Sequence, residues 1–458
     1  MHAPSIVKSL QFKWSAVLAE DASRSRLLRI GVVVWSAALF AIYQPGLMSA
    51  DSLDQYGQGL QGVYNDIHPP LGSWLLGLSG KLMGSPMLVL GAQLLALAAC
   101  MAALVRSPDK NKGRWGIVVM ALFLFTPTTW ALAVILWKDV MTATVLLGAV
   151  AALHYRRPAI ALVLLMAGVA FRHNALIAAV PLAIPTIGQL CPKQWGWFRK
   201  SQALAVVVVG LVMAPSVVSR ALNSNRAWAA GQLLVFDLAG VYTKKPELVS
   251  NSLLARETSS GEIARLYSPL HVWPLFGGAE GARPISFSSL HERRPELIAE
   301  WGRVIREHPR AWMQHRLASF VNLVGATSSH VFYPFHLDID PNPFQLRVSS
   351  EGWLFQTLHR IKMSVANSLF FRGWAWTLLL GGLTLVALRT VRQKPIAFYT
   401  AVSGLGYVTS YLFIGIGGDF RFIYWSVIAT FATVALLITE QASAKLASEA
   451  PPAAAPPE

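Results

Sequence analysis

Repeated apolar runs constrain this chain more than any other feature. Candidate spanning segments fall at 28–46, 85–105, 115–136, 140–155, 159–171, 175–190, 201–222, 373–388, 396–416 and 422–440, several of them near the roughly 20 residues needed to cross a hydrocarbon core of about 30 Å. With 54% of its 458 residues hydrophobic and only 14% charged, the expected class is an all-α polytopic membrane protein with about 10 transmembrane helices. The formal charge of +16 does not point to nucleic acid, because the basic residues gather in short loops between apolar runs, where they set orientation. The two cysteines, Cys100 and Cys191, have no partner at metal or disulfide spacing.

Five basic clusters lie at 8–29, 106–114, 156–157, 193–200 and 389–394. They share the cytoplasmic side only if 159–171 and 175–190 cross separately and the 14-residue stretch 71–84 does not cross fully. That threading sends four short polar turns to the opposite face: "DSLDQY…DIHPP", "WKD", "FRHN" and "GGDFR". The long segment 223–372 goes with them. The expected organisation is an N-terminal transmembrane module over 1–222 with a first outer loop at 45–70, a mainly outer segment over 223–372, C-terminal transmembrane helices over 373–440, and a Pro/Ala-rich disordered tail over 441–458. The first apolar run lacks a small-residue cleavage site and reads as a retained helix.

Carboxylates beside a bilayer are costly unless used. In the first outer loop Asp51, Asp54, Gln55 and Gln58 recur at spacings of three and four, predicting an amphipathic interfacial helix with one polar row. Asp51 and Asp54 on one face can raise each other's pKa or share a cation, and either arrangement suits a general base. Asp51 is equally placed to cap that helix. His68 before Pro69-Pro70 can bind metal, donate a hydrogen bond or start the next helix, with Asp66 close by. Lys138-Asp139 can anchor a helix end or bind a phosphate and an acceptor. Arg172 and Arg421 stand at turns on the outer side, where an anionic partner is needed, and an arginine there can fork onto a phosphate.

Together "DSLDQY", "DIHPPL" and "WKD" resemble the motifs of the GT-C superfamily of membrane glycosyltransferases, whose relatives include protein O-mannosyltransferases and lipid A aminoarabinose transferases. The resemblance covers roughly residues 28 to 220. It implies a GT-C-like bundle with interfacial helices in the first outer loop and a large periplasmic segment, set in the bacterial cytoplasmic membrane. It further implies a sugar donor on a polyprenyl phosphate, a lipid, glycan or protein acceptor, and a first-loop carboxylate as catalytic base. The matching position is Asp51, but the family often has Asp-Glu where this chain has Asp51-Ser52, so Asp51 and Asp54 both stay open as the base. Asp66, His68 and Asp139 are the residues to assist acceptor, donor or a divalent cation such as magnesium or manganese. Lys138, Arg172 and Arg421 are the candidates for the donor phosphate. A lipid-linked transporter or flippase, which would carry internal repeats with broken helices at matching places, and an outer-leaflet glycan polymerase or ligase, which would not require the first-loop carboxylates, are the competing expectations.

Overall fold

The computed structural model describes residues 4–107, 109–278, 284–327 and 330–449. It is 74% helical, and no strand occurs among the described residues. The helices run in order α1 (Pro4–Tyr43), α2 (Ala50–Gln61), α3 (Pro70–Met83), α4 (Met87–Val105), α5 (Lys110–Phe125), α6 (Pro127–Ala133), α7 (Lys138–His154), α8 (Pro158–Phe171), α9 (Ala175–Leu190) and α10 (Trp197–Ala221). They continue as α11 (Ala230–Tyr242), α12 (Ser260–Leu266), α13 (Trp273–Gly277), α14 (Phe287–Glu292), α15 (Arg294–Glu307), α16 (Pro309–Leu323), α17 (Trp353–Val365), α18 (Gly373–Arg389), α19 (Pro395–Ile414) and α20 (Tyr424–Glu449). Proline opens α3, α6, α8, α16 and α19, where its missing N–H has no intrahelical partner to lose. Gly62 and Gly84 stop α2 and α3 in the left-handed conformation, each at φ +71°.

The expected ten spans are not all present. Five described helical stretches are long and apolar enough to cross a membrane: Ala22–Tyr43, Met87–Val105, Trp197–Ala221, Pro395–Ile414 and Phe420–Thr439. A sixth span results if α5 and α6, bent by 55° at Thr126–Pro127, are taken as one broken helix. Proline forces the preceding residue out of helical conformation, and Thr126 accordingly sits at ψ 126°. The segments expected at 140–155, 159–171, 175–190 and 373–388 form helices of 17, 14, 16 and 17 residues. At 1.5 Å per residue those are about 21 to 26 Å long, short of the core thickness. Hydropathy periodicity alone cannot measure where a helix ends, and that is where the count was lost.

Segment 223–372 does not pack as one unit. Residues from Trp228 to Ala311 enclose a core of their own, whereas Leu323, Val331, Phe335, Leu346 and Phe355 join the core of the main bundle. At the centre of the smaller core the buried Asp237 carboxylate accepts hydrogen bonds from Nε1 of Trp301 and of Trp312, both at 2.9 Å, and pairs with Arg316 Nε at 2.7 Å. Helix α20 continues to Glu449, beyond position 441 where the tail is expected to begin; residues 450–458 lie outside the described residues.

The helix that carries Asp51 is held by a close backbone contact. A Cβ built on Gly59 of α2 would lie 2.0 Å from the Ser73 carbonyl, and one on Gly77 of α3 would lie 2.1 Å from the Gly59 carbonyl carbon. Only glycine at both positions lets the two helices touch. Gly77→Ala is therefore expected to lower stability by about 1–3 kcal/mol or more, while Gly31→Ala, which meets no atom within 4 Å, leaves it unchanged or raised; melting in detergent distinguishes the two.

Candidate functional site

Main-chain pairing draws four distant segments together before any side chain acts. Leu47 N–H donates to the Val134 carbonyl at 3.0 Å, and Leu136 N–H donates back to the Leu47 carbonyl at 2.9 Å. On the other side, Met48 N–H donates to Asp338 O at 3.2 Å, Asp340 N–H to Met48 O at 2.9 Å, and Phe420 N–H to Tyr333 O at 3.0 Å. The paired stretches that lead into α2 and α7 thus meet the 333–340 segment, which in turn holds the 417–423 turn. Ser52 Oγ, donating to Leu136 O at 2.9 Å, and Trp137 Nε1, donating to Ser49 Oγ at 2.9 Å, lock α2 to the start of α7.

Asp51 occupies the first turn of α2, where the helix dipole favours negative charge. Its Oδ2 accepts from Arg421 Nη2 at 2.8 Å, and Arg421 Nε donates to Asp419 Oδ2 at 3.0 Å. The guanidinium also lies 4.8 Å from the Trp137 ring centroid and 5.3 Å from that of Phe422, so aromatic faces and two carboxylates fix its position. Behind it Arg172, 4.9 Å from the same Phe422 ring, is paired with Asp139. Lys138 Nζ donates to His68 Nδ1. That contact leaves the proton of a neutral imidazole on Nε2, which faces Asp51 Oδ1 across 3.8 Å.

Burial opposes ionisation of Asp51, but the charges of Arg421, of His68 once acid has protonated it, and of Lys138, with the Arg421 hydrogen bond, hold its carboxyl well below the usual range. Burial, followed by the Lys138 charge, pushes His68 down to about 3 against the pull of Asp51. The imidazole is neutral near pH 7. Burial raises Asp419, and Arg421 opposes that rise. Three cations, Lys138, Arg172 and Arg421, thus stand with three carboxylates, Asp51, Asp139 and Asp419, around a neutral histidine.

The structure brings Asp51, His68, Lys138, Asp139, Arg172 and Arg421 into this cluster and turns Asp54 and Asp66 elsewhere. Asp54 Oδ2 accepts from Gln58 Nε2 at 2.7 Å, and burial raises its pKa. Asp66 Oδ1 accepts from the Ala227 and Trp228 amides, the latter at 3.2 Å, tying the first loop to the chain entering α11. Trp137 and the 333–340 segment are not among the site residues expected from the sequence. There Tyr333 Oη and His336 Nδ1 are 2.6 Å apart, His336 Nε2 lies 3.4 Å from Asp340 Oδ1, and Asp340 Oδ2 accepts from Ala50 N–H at 2.8 Å. The only signal was the density of polar residues in "FYPFHLDID", set in a long segment with no clear periodicity.

No group of three or more His, Cys, Asp or Glu side chains that could hold a metal ion occurs among the described residues. The three carboxylates of the cluster are each paired with an arginine and do not fit a divalent cation. The chain matches no family model, no curated protein and no solved structure. The fold and site therefore define a helical protein, with apolar helices long enough to span a membrane, that carries a charge-balanced cluster at converging helix ends.

The unfolded chain binds protons at His68 below pH 6.5 that the folded chain refuses until about pH 3, so stability is full above pH 6.5 and falls as the medium is acidified through that window. His68→Gln should flatten part of the fall in melting temperature between those limits. Asp66→Ala, which strands two amides, should lower stability by about 1–3 kcal/mol, again read by melting.

Proposed function

We propose that this protein is an inverting membrane glycosyltransferase that takes a sugar from a polyprenyl phosphate and passes it to a lipid, glycan or protein hydroxyl. Its active site would open on the periplasmic face of the bacterial cytoplasmic membrane. The observation that carries this reading is the Arg421 guanidinium shared between Asp51 and Asp419: a carboxylate base is held beside a cation that a phosphate can recruit. The excess of basic residues in the other loops supports assigning those loops to the cytoplasm.

In the resting arrangement Asp51 is a weak base, because Arg421 stabilises its ionised form. A donor phosphate that draws Arg421 toward itself removes that stabilisation and raises the proton affinity of Asp51 where the acceptor hydroxyl must lose its proton. The acceptor oxygen then forms its bond to the anomeric carbon as the bond from that carbon to the phosphate oxygen breaks. The hydroxyl proton passes to Asp51 Oδ1, and the departing phosphate keeps the electron pair, its charge stabilised by Arg421. His68, neutral and oriented by Lys138, presents an Nε2–H donor beside the base. Arg172, paired with the buried Asp139 and covered by Phe422, supports the cluster from behind rather than reaching the phosphate.

Purified protein in lipid nanodiscs, given a panel of radiolabelled polyprenyl-phosphate sugars, tests this. Asp51→Asn is expected to lose about 100-fold or more in turnover, whereas Asp54→Asn, whose carboxylate faces Gln58, stays within a few-fold of wild type. Absence of reaction with every donor, together with Asp51→Asn supporting wild-type behaviour in cells, would overturn the proposal in favour of transport.

A further inference from the structure

Every cation of the central cluster is matched by a carboxylate or, for Lys138, by an imidazole; Lys362 is not. This lysine, on α17, is 1% exposed. Its Nζ lies 4.6 Å from the ring centroid of Tyr43, 5.8 Å from that of Trp130 and 5.9 Å from that of Phe335. No described carboxylate, carbonyl or hydroxyl is hydrogen-bonded to it, and burial alone pushes its amine down to about 7. The same cage holds a second unsatisfied group: the Tyr43 hydroxyl is buried and has no hydrogen-bond partner. A buried ammonium is costly to leave without an anion, and three aromatic faces compensate it only in part.

Helix α17 buries just two side chains, Phe355 and Lys362, and both meet Tyr43, Phe355 with ring centroids 5.4 Å apart. Trp353, Leu354, Ile361 and Met363 are exposed on α17 beside Gln356, Arg360 and Ser364, with Leu369 and Phe370 exposed just beyond. Leu358 and Val365 also pack against the main core, and the exposed apolar residues beside this anchored face suit entry of a lipid between α17 and the ends of α1 and α6. We infer that Lys362 and Tyr43 form a binding site for the phosphate group of a membrane lipid, with Nζ and Oη donating to phosphate oxygens. The apolar residues on and after α17 receive the chain that carries the phosphate. The site lies in the two stretches that also lead to the central cluster, Tyr43 running on to Asp51 and Phe335 adjoining His336, but the inference does not depend on sugar transfer.

The test measures equilibrium binding of three probes to the full-length protein in detergent micelles: a polyprenyl monophosphate, the matching polyprenol without phosphate, and inorganic phosphate. Wild type is expected to bind the lipid phosphate about tenfold more tightly than the alcohol. Lys362→Met should reduce that preference to what the central cluster holds through Arg421, and Tyr43→Phe should weaken binding of the lipid phosphate about threefold with the fold intact, since its hydroxyl has no partner to lose. Binding of inorganic phosphate as tight as that of the lipid, with the same loss in both variants, would overturn the lipid assignment. Equal affinity of wild type and Tyr43→Phe for all three probes would overturn the site altogether, even where Lys362→Met fails to fold; Lys362 would then be a helix anchor only.

Discussion

The guanidinium of Arg421, held between Asp51 and Asp419, is the contact on which the rest of this architecture depends. It joins residues 370 positions apart in the chain, so it exists only if the first loop and the end of the bundle fold against one another. Each neighbouring feature serves that approach. The Gly59–Gly77 contact seats α2, the pairing of Leu47 with Val134 and Leu136 sets its start, and the Tyr333–Phe420 hydrogen bond places the turn that carries Asp419 and Arg421.

Charge balance explains why so many ionisable groups tolerate being half-buried or buried together. Arg421 satisfies two carboxylates, Arg172 is taken by Asp139, and Lys138 spends a proton on a neutral imidazole. Unpaired, any one of these charges would be expensive in a low-dielectric setting. The balance is also conditional: an incoming anion would compete with Asp51 and Asp419 for one guanidinium, and the basicity of Asp51 would rise as that competition was won. Lys362 departs from this pattern, being stabilised by aromatic faces rather than by an acid.

Much of the outline was legible in the sequence. Apolar runs announced helices, and the polar turns at 51–70, 137–139, 171–174 and 417–421 supply nearly all the side chains that converge. The span count was less secure, because composition does not report whether a 14- or 17-residue helix is continued by its neighbours or broken from them. The partners of individual charges were not legible either. Asp51 and Asp54 share a helical face in sequence, yet one pairs across the fold with Arg421 and the other with Gln58 on its own helix. Asp66, beside His68 in the motif, instead holds the amides of residues 227 and 228.

By itself, then, the sequence determined that the chain is helical, that several of its helices have the length and apolarity to cross a membrane, and which turns hold its charges. Periodicity and composition are local properties, and those conclusions need nothing more. Only the tertiary structure decided which carboxylate meets which cation, which helices fall short of a full span, and that 333–340 closes over the start of α2. Those outcomes rest on contacts between segments separated in the chain, by as many as 370 residues, and close packing at two glycines together with a few main-chain hydrogen bonds selects one pairing from many that the same local patterns allow.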